Sequence, residues 1–303
     1  MTHSKMVTGS FTQSLRHATP VFLGLGALAG IAAGLIYAHH NSIRLAKTSA
    51  GIVKIHTIED ENGNPVRVLE QNGAYESATY LDEKRYTPVF AYQRAFDHVF
   101  EANLPSPKAS LSNIPVLMIG GGGYAWPKHT IATKPEISLE VVELDQKITA
   151  IAQKWFYLNQ LLEEIPHAAD RLMLITADGR RFLETTDKHY AAIINDTFSG
   201  KSPVLSLATI EAAQIVKERL LAGGVYATNV VSECEGEDIT FLRQVVTTLK
   251  EVFAFVDIIP CEDSDFGLED NYLVLASDTQ HPFTNTMPYD EDFLGSSIRD
   301  SDI

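Results

Sequence analysis

Cysteine is scarce in this chain. Two occur in 303 residues, Cys234 and Cys261, and neither belongs to a Cys-x-x-Cys pair or a Cys/His cluster. That spacing offers neither a zinc site nor a disulfide framework, and strand-end thiols are the plain reading. Basic residues are also few: 24 Lys and Arg stand against 39 Asp and Glu, for a formal net charge of −15. A nucleic-acid binder needs a basic face that releases counterions, so that class is excluded. The charge is unevenly spread. Residues 1–50 lack Asp and Glu altogether and hold four bases, Lys5, Arg16, Arg44 and Lys47. Residues 261–303 hold eleven acids and one base, Arg299.

Within the acid-free segment, residues 20–38 carry no charge and no strongly polar side chain. A helix of that length spans roughly 28 Å, which matches a hydrocarbon core. The run is long for the apolar part of a secretory signal. Gly26, Gly30 and Gly34 recur every four residues, the small-residue face that lets membrane helices approach. The expectation is a disordered lead over 1–19, an uncleaved transmembrane helix over 20–38 and a juxtamembrane connector over 39–50. The protein is then single-pass and membrane-attached, with the catalytic part expected on the cytoplasmic side, although the flanking charges do not decide orientation.

Residues 51–58 and 65–70 alternate apolar and polar side chains around the turn Glu61-Asn-Gly-Asn64, which predicts a hairpin. An extended piece near 74–80 completes a small β-rich domain over 51–107, with helical spacing over 92–101. From Pro115 strands and helices alternate, the signature of a parallel sheet covered on both faces. Strands are predicted at 116–119, 139–144, 172–176, 190–195, 225–231, 255–260 and 271–276, and helices at 148–162, 206–221 and 238–252. The last two strands are joined by a loop too short for a helical crossover, so the α/β domain over 108–278 ends in an antiparallel hairpin. Seven strands with that ending predict a Rossmann-like, class I methyltransferase-type fold. Residues 279–303 are polar and acidic and predict a mobile tail.

The most informative stretch is Val116-Leu-Met-Ile-Gly-Gly-Gly-Gly-Tyr124, followed some twenty residues later by Leu139-Glu-Val-Val-Glu-Leu-Asp145. Gly120, Gly121, Gly122 and Gly123 let the backbone pass close to a ligand. Glu143, at the end of the next strand, can accept both hydroxyls of a ribose. Together they point to a nucleoside-type cofactor. Two further acids follow predicted strands, Asp178 in Ala-Asp-Gly-Arg-Arg and Asp196 in Ile-Ile-Asn-Asp-Thr-Phe-Ser-Gly. Plainer roles compete at several positions. Asp145 suits a helix N-cap, Asp178 a turn and Asp196 a loop cap. Tyr124 and Trp126 suit helix-start packing as well as a pocket wall, and His129 and His189 suit the surface.

In order and spacing these motifs, with Asp82-Glu-Lys-Arg-Tyr86 and Leu220-Leu-Ala-Gly-Gly-Val225, resemble the spermidine synthase (polyamine aminopropyltransferase) family over about three quarters of the chain. The resemblance implies that Glu143 holds the cofactor ribose and Asp178 the adenine amino group. It implies that Asp196 stands where an acid helps deprotonate the attacking amine, and Tyr86 at the mouth of the substrate groove. The donor implied is decarboxylated or ordinary S-adenosylmethionine, the acceptor a small molecule, and no metal is required. A homodimer is compatible with it. Three positions depart from the family pattern: Gly123, Pro88 and Ser199 stand where acids hold the donor amine and the polyamine. A methyltransferase on a non-polyamine acceptor, or a non-catalytic nucleoside-binding scaffold at the membrane, stays open beside the aminopropyltransferase reading.

Overall fold

Strand-forming alternation begins earlier than the sequence suggests. The computed structural model describes residues 43–60, 62–105, 113–199, 202–231, 239–261 and 271–303. Four strands, β1 (Arg44–Thr48), β2 (Gly51–Glu59), β3 (Pro65–Gln71) and β4 (Ala74–Tyr80), form an antiparallel sheet in that order. Alternate residues Val53, Ile55, Val66 and Val68 are buried, as a sheet with one covered face requires. The connector expected over 39–50 is corrected in part: residues 44–48 pair with 51–55 through a tight turn. The helical spacing over 92–101 resolves into α1 (Ala91–Ala95) and a 3-10 turn, Phe96–Glu101.

The large sheet follows the predicted pattern. Its strands are β5 (Ile114–Ile119), β6 (Ile137–Glu143), β7 (Leu172–Thr176), β8 (Tyr190–Asn195), β11 (Leu220–Val231), β12 (Phe255–Cys261) and β13 (Asn271–Ser277), in the order β12-β13-β11-β8-β5-β6-β7. A two-stranded ribbon, β9 (Phe198–Ser199) and β10 (Ser202–Pro203), follows β8. Strands β5 to β8 and β11 are parallel, and β13 runs antiparallel between β11 and β12. Val116 and Met118 enter one apolar cluster and Leu117 and Ile119 the other, so β5 is buried on both faces. Six helices connect the parallel strands or pack on them: α2 (Ala125–Thr133), α3 (Gln146–Trp155), α4 (Leu158–Glu164), α5 (Ala168–Arg171), α6 (Gly179–Thr185) and α7 (Ile210–Arg219). Helix α8 (Thr240–Lys250) leads into β12. The helix predicted over 148–162 is two helices, broken at Tyr157, which adopts φ 62°.

Two expectations change. The membrane reading is corrected: among the described residues no helix is long and apolar enough to cross a membrane, and residues 20–38 lie outside the described residues. The tail expected to be mobile is instead packed on α7 and α8. Arg243 Nε donates to the Phe293 carbonyl at 2.5 Å, and the buried Ile298 donates its N–H to Thr248 Oγ1 at 2.9 Å and accepts from the Ile210 N–H at 2.8 Å.

From β5 the chain moves outward through β6 to β7, then returns to place β8 on the other side of β5. That reversal opens a crevice beyond the C-terminal ends of β5 and β8, the usual ligand position in such sheets.

Candidate active site

The glycine loop leaves β5 at this crevice. Gly120 adopts φ +93°, which an L side chain rarely tolerates, and a Cβ there would run into the Asp196 backbone carbonyl, 2.8 Å from its carbon. The Asp196 N–H in turn donates to the Ile119 carbonyl at 2.8 Å. The loops after β5 and β8 are therefore in direct backbone contact. This is what brings Asp196 to the glycines.

Glu143 closes the loop from the β6 side. Its Oε2 accepts from the backbone N–H of Gly121 at 2.9 Å and of Gly122 at 3.1 Å, and its Oε1 accepts from the Asp145 N–H at 3.0 Å. Glu143 as a residue is 9 % exposed. Each oxygen carries two lone pairs, so these three bonds fill Oε2 and leave one acceptor site, on Oε1, for a ligand hydroxyl. Glu143 thus shapes the loop that sequence reasoning assigned to the ligand. Asp145 is the N-cap of α3, accepting from the Lys147 N–H at 2.9 Å. Asp178 is exposed and caps α6, its Oδ1 accepting from the Arg181 N–H at 2.8 Å.

Asp196 accepts a hydrogen bond from Asn229 Nδ2 at 3.1 Å. Burial raises its carboxyl to about 7, against the smaller opposing effect of that hydrogen bond. A carboxylate with that proton affinity is matched to taking a proton at neutral pH. A second acid, passed over in the sequence, stands nearby. Glu76 on β4 is also pushed to about 7, first by burial and then by the negative charges of Asp196 and Glu143. Its only local signal is a lone acid in the strand Ala-Tyr-Glu-Ser-Ala-Thr-Tyr. Asn229, at the end of β11, was missed for the same reason: an amide in an apolar strand carries no periodic mark.

The other candidates are placed away from the loop or in its support. Tyr86 donates its hydroxyl to Glu164 at 2.9 Å, and burial with that acceptor pushes it to about 12. Among the described contacts none joins Tyr86 to the glycines or Asp196. Tyr124 and Trp126 are fully buried; Tyr124 shares a hydrogen bond with Thr149 at 2.9 Å, and Trp126 donates to Asp97 at 2.8 Å. They anchor α2 rather than line a pocket. His129 pairs with Asp97 at 3.2 Å and His189 is exposed. Lys128 is wholly buried, its Nζ donating to the Phe156 carbonyl at 2.5 Å, and burial followed by the nearby Arg67 charge lowers it to about 7. Beside Asp196 a pocket is lined by Asn195, Thr197, Leu207, Thr228, Asn229 and Phe241 among others, none of them charged. No group of His, Cys, Asp and Glu among the described residues is arranged to hold a metal ion.

The sheet order, the glycine loop and the acids at strand ends define a Rossmann-like protein of the methyltransferase type. Within that class the chain belongs to the spermine/spermidine synthase domain family, whose model matches residues 89–261. It is 27% identical over 190 residues to polyamine aminopropyltransferase 2 of Hyperthermus butylicus, a match covering 61% of this chain and 59% of that protein. The chain thus spans less than two thirds of that relative's length. Among solved structures it is similar in fold to a probable spermidine synthase from Corynebacterium glutamicum, with TM-score 0.62, 21% identity, and 78% and 80% of the two chains covered. A spermidine synthase in complex with the transition state analogue AdoDATO matches with TM-score 0.60, 19% identity, and 81% and 77% covered.

Proposed function

We propose that this chain is an aminopropyltransferase, taking decarboxylated S-adenosylmethionine as donor and a small amine as acceptor. The observation that carries the reading is Asp196, a partly buried acid of raised proton affinity held against the glycine loop by backbone contact. Family membership and the named activity of the relative support it. In the reaction the acceptor nitrogen attacks the propyl carbon beside the sulfonium. The C–N bond forms as the C–S bond breaks, its electron pair passing to sulfur to leave neutral methylthioadenosine. Asp196 takes the proton lost by the amine. The protein's task is alignment and deprotonation. Glu143 would hold the ribose and Asp178 the adenine edge. Tyr86, tied to Glu164, would serve the groove only from its rim.

The acceptor we assign is less cationic than a polyamine. Pro88 and Ser199, where the family pattern has acids for the polyamine, are neutral, and the pocket beside Asp196 has no charged wall among its described residues. A diamine keeps one ammonium that must shed water without a carboxylate to replace it. The test is turnover of the full chain with decarboxylated S-adenosylmethionine, comparing putrescine with apolar monoamines. Release of methylthioadenosine with a monoamine is the expected result. Methylation of the acceptor with ordinary S-adenosylmethionine, and no methylthioadenosine from either amine, would replace this reading by the methyltransferase one.

A further inference from the structure

The glycine loop faces the small sheet as well as the crevice. Strand β4 runs against it: a Cβ at Gly122 would lie 3.6 Å from the Glu76 carbonyl oxygen and 3.9 Å from Ser77 Cβ. At Gly123 there is no room at all. A Cβ there would overlap Ser77 Oγ and approach Ser77 Cβ to 2.8 Å and Phe156 Cδ1 to 3.1 Å. Ser77 is 1 % exposed and belongs to a paired strand, and Phe156 is fully buried, so neither side yields easily. No acid can therefore project from the loop at position 123 without repacking this contact.

A carboxylate is nevertheless present on this wall, supplied by Glu76 from β4. Three observations show that its environment is incomplete. Glu76 Oε1 has almost no accessible surface and no hydrogen-bond partner among the described residues. Asn229 is 7 % exposed, is aimed at Asp196 through its Nδ2, and leaves Oδ1 buried without a donor. Ser77 Oγ, facing the glycine loop, is buried and unpartnered as well. Buried oxygens are ordinarily matched by donors, and the unmatched Oε1 of Glu76, near Asp196 and Glu143, points to a ligand that brings one. The negative charges of Glu76, Asp196 and Glu143 repel one another there, so the matching ligand group carries positive charge.

We infer that Glu76 is the residue that grips the primary ammonium of the donor's aminopropyl arm, doing from β4 what the crowded loop position 123 cannot do. The inference rests on the donor proposed above. It assigns Glu76 to recognition: its carboxylate and the ammonium replace each other's water, while Asp196 stays available for the attacking amine. The same carboxylate disfavours a donor that keeps its own carboxylate, which sets the preference for the decarboxylated form.

The test compares two thioether nucleosides that differ at the arm. Methylthioadenosine lacks the amine, whereas S-adenosyl-3-thiopropylamine carries it without a sulfonium. Both are titrated calorimetrically into the full-length protein and its Glu76→Gln and Glu76→Asp variants, with thermal melts as the fold control. The expected result is that Glu76→Gln weakens the amine-bearing ligand roughly tenfold to a hundredfold and methylthioadenosine less than threefold, with partial recovery in Glu76→Asp. Equal losses for both ligands, or no loss for either, would overturn the assignment while leaving the nucleoside site standing. Failure of the wild-type protein to bind either nucleoside would instead bring down the donor reading and this inference with it.

Discussion

Glu143 Oε2 bridges two successive backbone N–H groups, those of Gly121 and Gly122, at 2.9 and 3.1 Å. The acid that shapes the glycine loop is thus the same one proposed to hold the ribose. Two consequences of its removal follow and can be measured separately. Glu143→Ala leaves two partly buried N–H groups without their acceptor, at a cost of about 1–3 kcal/mol. It also removes a charge-assisted contact to ribose, expected to weaken methylthioadenosine by roughly thirtyfold or more. Calorimetric titration and thermal melting should show both losses. Binding within threefold of wild type would mean that the ribose lies elsewhere.

Asp196→Asn is expected to leave nucleoside binding nearly intact and to lower single-turnover rates by about a hundredfold or more, as for a lost general base. The wild-type rate should rise with pH through about 7, where the Asp196 carboxyl gives up its proton. In the variant that limb should vanish. An unchanged rate would reduce Asp196 to a loop residue bonded to Asn229.

Much of this site was legible because local signals and tertiary placement agree. Four apolar residues running into four glycines announce β5 and its loop. The short link before residues 271–276 announces the reversed strand β13. What escaped has non-local causes. Strand β1 depends on pairing of residues 44–48 with 51–55, and its sequence Arg-Leu-Ala-Lys-Thr has no strong strand signature. The break at Tyr157 carries no Gly or Pro, because packing rather than propensity holds its positive φ. Glu76 acquires meaning only through Asp196, 120 positions away, a relation that no periodicity encodes.

The raised proton affinities also predict how stability depends on pH. Folded Glu76 and Asp196 hold protons to about 7, against ordinary values of 4.5 and 3.8. The native state therefore binds more protons than the unfolded state between about pH 4 and 7. Stability contributed by these groups falls as pH rises through that window and stays low above it. Glu76→Gln removes one such charge. It should raise the melting temperature at pH 8 by about 2–6 °C, for roughly 1–2 kcal/mol, and change it little at pH 4. A variant equally or less stable at pH 8 would show that Glu76 is not charged against its neighbours.

The C-terminal strap supplies the last prediction. Composition alone argues for a mobile tail, yet residues 287–300 meet specific partners. The Met287 N–H donates to the Ile258 carbonyl at 2.7 Å, and Gly295 and Ile298 donate to Thr247 and Thr248 at 2.8 and 2.9 Å. Asp300 pairs with Arg180 at 3.0 Å and accepts from the buried Thr209 hydroxyl at 2.7 Å. Arg180 and Thr209 flank the loop that carries Leu207 into the pocket beside Asp196. The strap thus braces one wall of the site from behind. Ile298, 6 % exposed, is its apolar anchor. Ile298→Ala should destabilise the protein by about 2–3 kcal/mol and raise KM for the acceptor more than it lowers kcat, since the pocket wall loosens while Asp196 is untouched. Hydrogen exchange gives the direct check: the amides of Ile210, Gly295 and Ile298 should exchange slowly in the wild-type protein and quickly in the variant. Fast exchange at these three amides in the wild type would restore the mobile tail.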